Sequence, residues 1–199
     1  MEKSEIRKKI LEHRESIDSD MRCKWDDSIF KRLISSEPYK RANTIFAFVS
    51  FKSEVDTHRI INHAISNHKT ICVPKINSKQ EGIKIYKIDS FNQLKKGYFG
   101  ILEPIESCQP VDKNSLDLIL MPGVAFDRYG GRVGYGAAFY DRFLSNMNKQ
   151  VDKIALAYHF QVLDSVPMSE HDIKIDGIIT EQETITTVPN PSVIYEKEI

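Results

Sequence analysis

The sequence has no surplus of charge: 28 lysines and arginines balance 28 aspartates and glutamates over 199 residues. The strongly basic balance of a dedicated nucleic-acid binder is missing, which argues against DNA or RNA as a partner. Cysteine is scarce. Cys23, Cys72 and Cys108 are odd in number and fall into no C-x-x-C or zinc-type spacing, so free thiols in a reducing, cytoplasmic compartment are expected. No apolar run approaches the roughly 20 residues of a membrane span. The opening stretch, MEKSEIRKKILEHRE, is charged and has no h-region, so neither membrane nor secretion is expected. Internal repeats are lacking as well, which argues against a solenoid. What remains is an ordinary mixture, 41% hydrophobic and 28% charged, with enough chain to bury a substantial core in one domain over residues 1–199.

Residues 2 to 17 read as a helix, with Ile6, Ile10 and Ile17 (Leu11 beside them) approximating a 3.6-residue stripe. A second helix is expected from about Asp20 to Ser35, stopped by Glu37-Pro38. TIFAFV at 44–49 and TICVP at 70–74 read as buried strands, and a helix capped by Asp56 or Thr57 runs between them to about Asn67. IKIYKI at 83–88 alternates as a strand with one wet face. Residues 91–114 read as irregular, broken by Gly97, Gly100, Pro104 and Pro110. LDLILMP at 116–122 is the clearest strand. A long loop, PGVAFDRYGGRVGYG, leads from it to a helix over about 137–147. KIALAY at 153–158 and IKIDGIIT at 173–180 complete the strands, and a frayed tail is expected from about Val188. Strands alternating with helices imply a three-layer α/β/α fold with a mostly parallel sheet. Ligands bind such sheets beyond the carboxyl ends of the strands.

Five of the nine glycines lie between Gly123 and Gly136, interleaved with Asp127, Arg128 and Arg132 and followed by a helix. Glycine admits positive φ and close backbone approach. Free amides at a helix start form an anion site, to which a guanidinium adds a fork matched to phosphate oxygens. A flexible surface connection with incidental arginines is the plainer alternative. Neither a Walker A motif nor a clean G-x-G-x-x-G is present.

The segment PGVAFDRYGGRVGYGAAFYDRFL, residues 122–144, resembles the signature of the 5-formyltetrahydrofolate cyclo-ligases, also called methenyltetrahydrofolate synthetases. KSEIR, FVSFKSEVDT, ICVPK, GILEP and EHDIKID follow the same family pattern in order, so the resemblance covers nearly the whole chain. It implies a fold like that of sugar-phosphate isomerases and CoA transferases. It also implies a reaction: ATP phosphorylates the formyl oxygen on nitrogen 5, nitrogen 10 attacks that carbon, and phosphate leaves to give 5,10-methenyltetrahydrofolate. Phosphoryl transfer needs positioning and charge neutralisation more than a protein nucleophile.

The resemblance also implies site residues. ATP would be held by Lys3, Arg7 and the run Arg132, Val133, Gly134, Tyr135, Gly136, Ala137, Ala138, Phe139 and Tyr140, with Arg132 and Tyr140 catalytic. Tyr135 to Phe139 would also border the folate, together with Val49 and Glu54. Asp141 and Asp172 would hold Mg2+. Tyr98 and Phe99 are expected to offer an aromatic wall. Two departures stand out: Tyr135 where many relatives carry arginine, and Ala137-Ala138 where glycine or another small residue is usual. Because alanine resists positive φ, a tighter loop is expected. From the residues alone, Lys3 and Arg7 also read as a solvated helix face, Asp141 as compensation of a helix N-terminus, Asp172 as an ordinary loop aspartate, Glu54 as a loop residue and Val49 as core. His58, His63 and His68, five apart, scatter around a helix and read as surface residues, not metal ligands. The expected partners are small molecules only, and the expected state is a monomer. A sugar-phosphate isomerase or CoA-transferase-like enzyme, which would need a general base near the anion site, and a non-catalytic nucleotide-binding module stay open as alternatives.

Overall fold

The apolar runs of the sequence become the middle of one sheet. The structure, a computed structural model, describes residues 1–78, 81–97, 100–145 and 147–189. In chain order its elements begin with helices α1 (Lys3–Ser16), α2 (Ser19–Ser35) and α3 (Glu37–Arg41), strand β1 (Thr44–Phe46), helix α4 (His58–Ser66), and strands β2 (Thr70–Ser78) and β3 (Gly82–Ile88). Then come β4 (Leu94–Lys96), β5 (Leu102–Pro104), β6 (Leu118–Met121), β7 (Ala125–Asp127), β8 (Arg132–Val133) and helix α5 (Phe139–Ser145). The last elements are β9 (Asp152–Leu156), β10 (Val162–Leu163), β11 (Gly177–Ile179) and β12 (Thr184–Thr186).

The main sheet runs β12-β11-β9-β6-β1-β2-β3. Its five inner strands are parallel, while β3 and β12 close the edges antiparallel. Inner strands of this kind are buried on both faces, and their side chains divide between two cores. Ile45, Leu118, Leu120, Ile154, Leu156 and Ile179 face one core, which Ile29 and Leu33 of α2 and Ile60, Ile61 and Ala64 of α4 complete. Phe46, Ile119, Met121, Ala155 and Ile178 face the other, against Phe143 and Leu144 of α5. Helices thus cover both faces, as the alternation of strands and helices predicts.

The chain leaves β1 in one direction to β2 and β3, and fills the other side with β6, β9 and β11. The switch point is therefore between β1 and β6. In open α/β sheets the loops beyond the strand ends part at such a point and leave a crevice. Here those loops are residues 47–57 and 122–138.

Four sequence expectations need correction. Glu37-Pro38 does not merely end α2; it opens α3, where Pro38 sits in the first turn and the Ser36 side chain accepts from the Tyr39 amide at 3.4 Å. A proline there withholds an amide that the helix would leave unpaired anyway. The region 91–114 is not wholly irregular, since β4 and β5 pair antiparallel. The long loop at 122–136 contains an antiparallel hairpin of β7 and β8, joined by β10 into a second, three-stranded sheet. The Val188 amide is tied to the Arg128 carbonyl at 3.1 Å, so it is not frayed, while the rest of the expected tail from residue 190 lies outside the described residues. Among the described residues, no helix is long and apolar enough to cross a membrane.

Candidate active site

The hairpin is closed by a residue that the sequence half discloses. Asp127, 3% exposed, turns its carboxylate inward and accepts from the amides of Tyr129 (2.9 Å), Gly131 (2.8 Å) and Val166 (2.8 Å). A Cβ on Gly131 would lie 2.5 Å from that carboxylate, so glycine here permits close approach. The amides expected to cradle an anion are, in this half of the segment, already bound to an aspartate. Arg128 also points elsewhere, to Glu183.

The second half differs. Beyond β8 the chain rises to the surface, and residues 135–138 are exposed. Gly136 has φ +107 and Ala138 φ +51. The expected resistance of alanine is thus overcome: Ala138 takes the left-handed conformation, at a cost of about 1–2 kcal/mol. Ala138 cannot then be helical, and α5 begins only at Phe139, two residues later than expected.

Arg132 is buried, 6% exposed. Its Nη1 donates to the Pro122 carbonyl at 3.2 Å and its Nη2 to Asp141 Oδ1 at 2.8 Å. Asp141 Oδ1 also accepts from the Ile173 amide at 3.1 Å, next to Asp172. Two of the three guanidinium nitrogens thus bind protein. Arg132 Nε and the buried Tyr140 hydroxyl have no hydrogen-bond partner among the described residues. Burial, with the charge of Glu54 adding to it, pushes the Tyr140 hydroxyl well above the usual tyrosine range. At neutral pH it is a donor, not a base. Its ring stacks on Phe46 of β1, with centroids 5.6 Å apart.

Helix α1 packs on the hairpin through Ile6 and Ile10, against Val124, Ala125 and Val133. The opposite edge of this stripe carries its cations to the crevice. Lys3 Nζ pairs with Asp172, which also accepts from the Ser169 amide and hydroxyl; burial works against the charge on Asp172, but Lys3 and Ser169 prevail and hold its carboxyl below the usual range. Arg7 Nε donates to the Gly134 carbonyl at 2.7 Å. Arg14, 4% exposed, occupies the turn between Ile10 and Ile17 where an apolar residue would continue the stripe. The sequence reading missed it. A single charge interrupting an apolar stripe is the signal that could have found it.

Arg14 reaches the loop after β1. Its Nε donates to Ser53 Oγ at 3.1 Å and its Nη2 to the Tyr135 hydroxyl at 3.0 Å. The Tyr135 hydroxyl donates to Glu54 Oε1 at 2.5 Å, and Glu54 Oε2 accepts from the Phe51 amide at 2.8 Å. Desolvation raises the Glu54 pKa, with Tyr135, Phe51 and Arg14 opposing. Tyr135 nonetheless keeps 48% of its surface exposed. Val49, expected at a pocket wall, is buried in the core that α2 and α4 share. Tyr98 and Phe99 lie outside the described residues.

Beside Glu54 opens a cavity of about 610 Å3 between α2, the 50–59 segment and Gly100–Leu102. Asp26 lines it, with its pKa pushed up to about 6 by burial against the hydrogen bonds from Tyr158 and the Asp56 amide. Two of the three histidines are not free surface residues. His63 Nδ1 is 2.8 Å from the Tyr39 hydroxyl and His58 Nε2 3.0 Å from the Ser50 carbonyl; His68 is exposed. Among the described residues no three His, Cys, Asp or Glu side chains gather as a metal site.

Residues 1–181 match the model of the 5-formyltetrahydrofolate cyclo-ligase family. A probable 5-formyltetrahydrofolate cyclo-ligase of Caenorhabditis elegans is 30% identical, over 92% of this chain and 94% of its own. The 5-formyltetrahydrofolate cyclo-ligase of Escherichia coli K12 is 26% identical, over 86% and 96%. Among solved structures, 5,10-methenyltetrahydrofolate synthetase of Aquifex aeolicus superposes with a TM-score of 0.84 at 31% identity, covering 98% of each chain. That of Mycoplasma pneumoniae superposes at 0.73 with 26% identity, covering 91% of this chain and 99% of its own.

Proposed function

Since the chain belongs to the 5-formyltetrahydrofolate cyclo-ligase family, we propose that the crevice between Glu54 and residues 132–141 is where it closes the folate ring at the expense of ATP. The chain is an enzyme, a ligase that converts 5-formyltetrahydrofolate to 5,10-methenyltetrahydrofolate with ATP as co-substrate. The formyl oxygen takes the terminal phosphoryl group and ADP departs. Nitrogen 10 then attacks the formyl carbon, loses its proton, and phosphate leaves with the oxygen. An amide oxygen is a poor leaving group until phosphorylated, so the protein's task is to align two substrates and to neutralise charge.

Lys3, Arg7 and Arg132 are the cations assigned to the phosphates, with the backbone of Val133 to Tyr140 around them. The carrying observation is the buried pair of unpartnered donors, Arg132 Nε and the Tyr140 hydroxyl. Buried donors are nearly always satisfied, and a phosphoryl oxygen is an acceptor of the right kind. Glu54, an acceptor on both oxygens, suits the amino-pyrimidine edge of a pterin, with Tyr135 to Phe139 along the folate.

Asp141 and Asp172 fit Mg2+ in chemistry. Both offer hard oxygen donors, and Asp141 Oδ2 and Asp172 Oδ1 accept no protein hydrogen bond among the described residues. When bound there, with phosphates and water completing its shell, Mg2+ would screen the charge of the transferring group. Arg132 and Lys3 already neutralise the other oxygens. The same reading takes the protein as a one-domain cytoplasmic monomer acting on small molecules, which suits its free thiols, Cys23, Cys72 and Cys108.

Absorbance of methenyltetrahydrofolate, followed with and without ATP, tests the reading. Product that forms only with ATP, and with one ADP per turnover, is the expected result. Folded protein that leaves both substrates unaltered would overturn it.

A further inference from the structure

Arg14 stands apart from every other cation at the crevice. It is buried, yet among the described residues no carboxylate lies within ion-pair distance of it; its partners are two hydroxyls, Ser53 Oγ and the Tyr135 hydroxyl. A buried guanidinium given only neutral partners is costly to keep. Its neighbours indicate what offsets that cost.

A guanidinium can only donate. The Tyr135 oxygen must therefore accept from Arg14, which leaves the tyrosine proton one direction, onto Glu54 Oε1 at 2.5 Å. The direction of the whole chain, Arg14 to Tyr135 to Glu54, is thus set by its first member. Glu54 sits at the receiving end with its second oxygen on the Phe51 amide. Two donors on the carboxylate and a cation behind them oppose the desolvation that raises its pKa. Each carboxylate oxygen keeps a further lone pair for a ligand. Ser53 Oγ anchors the same guanidinium one residue from Glu54, so Arg14 also locates the backbone of that loop.

We propose that Arg14 is a positioning residue for the folate: through Tyr135 and Ser53 it holds Glu54 in place as an acceptor for the N–H donors of the substrate. The role rests on the reading of Glu54 as the pterin contact. It extends the ATP-facing pair on α1, Lys3 and Arg7, to a third residue whose effect falls on the other substrate. It also gives Tyr135 a use: a tyrosine there passes the orientation on from Arg14 to Glu54.

Steady-state kinetics of the full-length enzyme with each substrate varied separately tests this. Arg14→Gln should raise KM for 5-formyltetrahydrofolate about tenfold, the loss expected for one charge-assisted hydrogen bond, and leave KM for ATP within about twofold. Arg14→Lys, which keeps the cation without the fork, should fall between Arg14→Gln and wild type. Tyr135→Phe should raise the folate KM too, and the double variant Arg14→Gln/Tyr135→Phe should be no worse than the poorer single one, because both changes cut one chain. Equal losses toward both substrates, or fully multiplying effects in the double variant, would reduce Arg14 to a general structural role and overturn the proposal. Glu54→Gln separates the two levels: if it leaves the folate KM unaltered, the reading of Glu54 fails. If it raises that KM while Arg14→Gln does not, the pterin contact stands and the role of Arg14 falls.

Discussion

Two stretches of the glycine-rich segment look alike in sequence and behave oppositely in structure. Residues 127–131, DRYGG, and residues 134–138, GYGAA, each carry two glycines and a tyrosine. The first is a closed turn whose amides converge on Asp127. The second is an open arch, exposed along 135–138 and held by hydrogen bonds from α1 at Gly134 and Tyr135. Glycine content therefore marks where backbone comes close to something and does not say what it approaches. In the turn that something is the protein's own carboxylate; in the arch it is the guanidinium groups of α1, with the outer face open to solvent.

The largest expected break of this comparison is Asp127→Ala. It removes the acceptor of three amides, two of them in the buried turn, and should cost about 3 kcal/mol at roughly 1 kcal/mol for each lost bond. Thermal unfolding should show a drop of about 10 °C for a chain of this size. A melting point within a degree or two of wild type would show that the turn does not depend on its aspartate. Next come the paired substitutions Gly131→Ala and Gly136→Ala. The first forces a Cβ to 2.5 Å from the Asp127 carboxylate and 2.6 Å from Val166, and should destabilise by about 2 kcal/mol, as overpacking does. The second meets nothing nearer than 3.7 Å and bears only the strain of its φ, +107, about 1–3 kcal/mol. Denaturant midpoints of double variants should separate the two causes: Val166→Ala should couple to Gly131→Ala and add independently to Gly136→Ala, and coupling to neither would mean that the turn is not tightly packed. The smallest effect is Ala138→Gly. Relief at φ +51 should stabilise by somewhat under 1 kcal/mol, part of it offset by the looser unfolded chain. A lower midpoint would show that Ala138 is not strained.

Much of the sheet was legible because its strands are short apolar runs: LILM of β6 and TIF of β1 have no other plausible fate in an α/β chain. The strands that escaped, β4, β5, β7, β8, β10 and β12, are two or three residues long, too short for any period to declare them. In the candidate site, Glu54, Tyr135 and Arg132 were named from the family motif alone. What the motif could not disclose was the internal use of their atoms. Arg132 Nη2 lies on Asp141 and Asp127 takes the turn amides through side-chain geometry that spacing does not encode. Arg14 was overlooked because a charged residue on an otherwise charged helix looks solvated, until packing shows which face it shares with Ile6 and Ile10.

The way α1 is fastened has a consequence for the order of assembly. Its contacts with the crevice span 169 residues at Lys3, 127 at Arg7 and 121 at Arg14. Helix α1 precedes Asp172 by most of the described chain and must wait for it to emerge from the ribosome before its full docking surface exists. Contacts of such long range form late, so the crevice comes together only after residue 172 has been made, and a nascent chain cut off before the 134–138 arch offers the cations of α1 none of these partners.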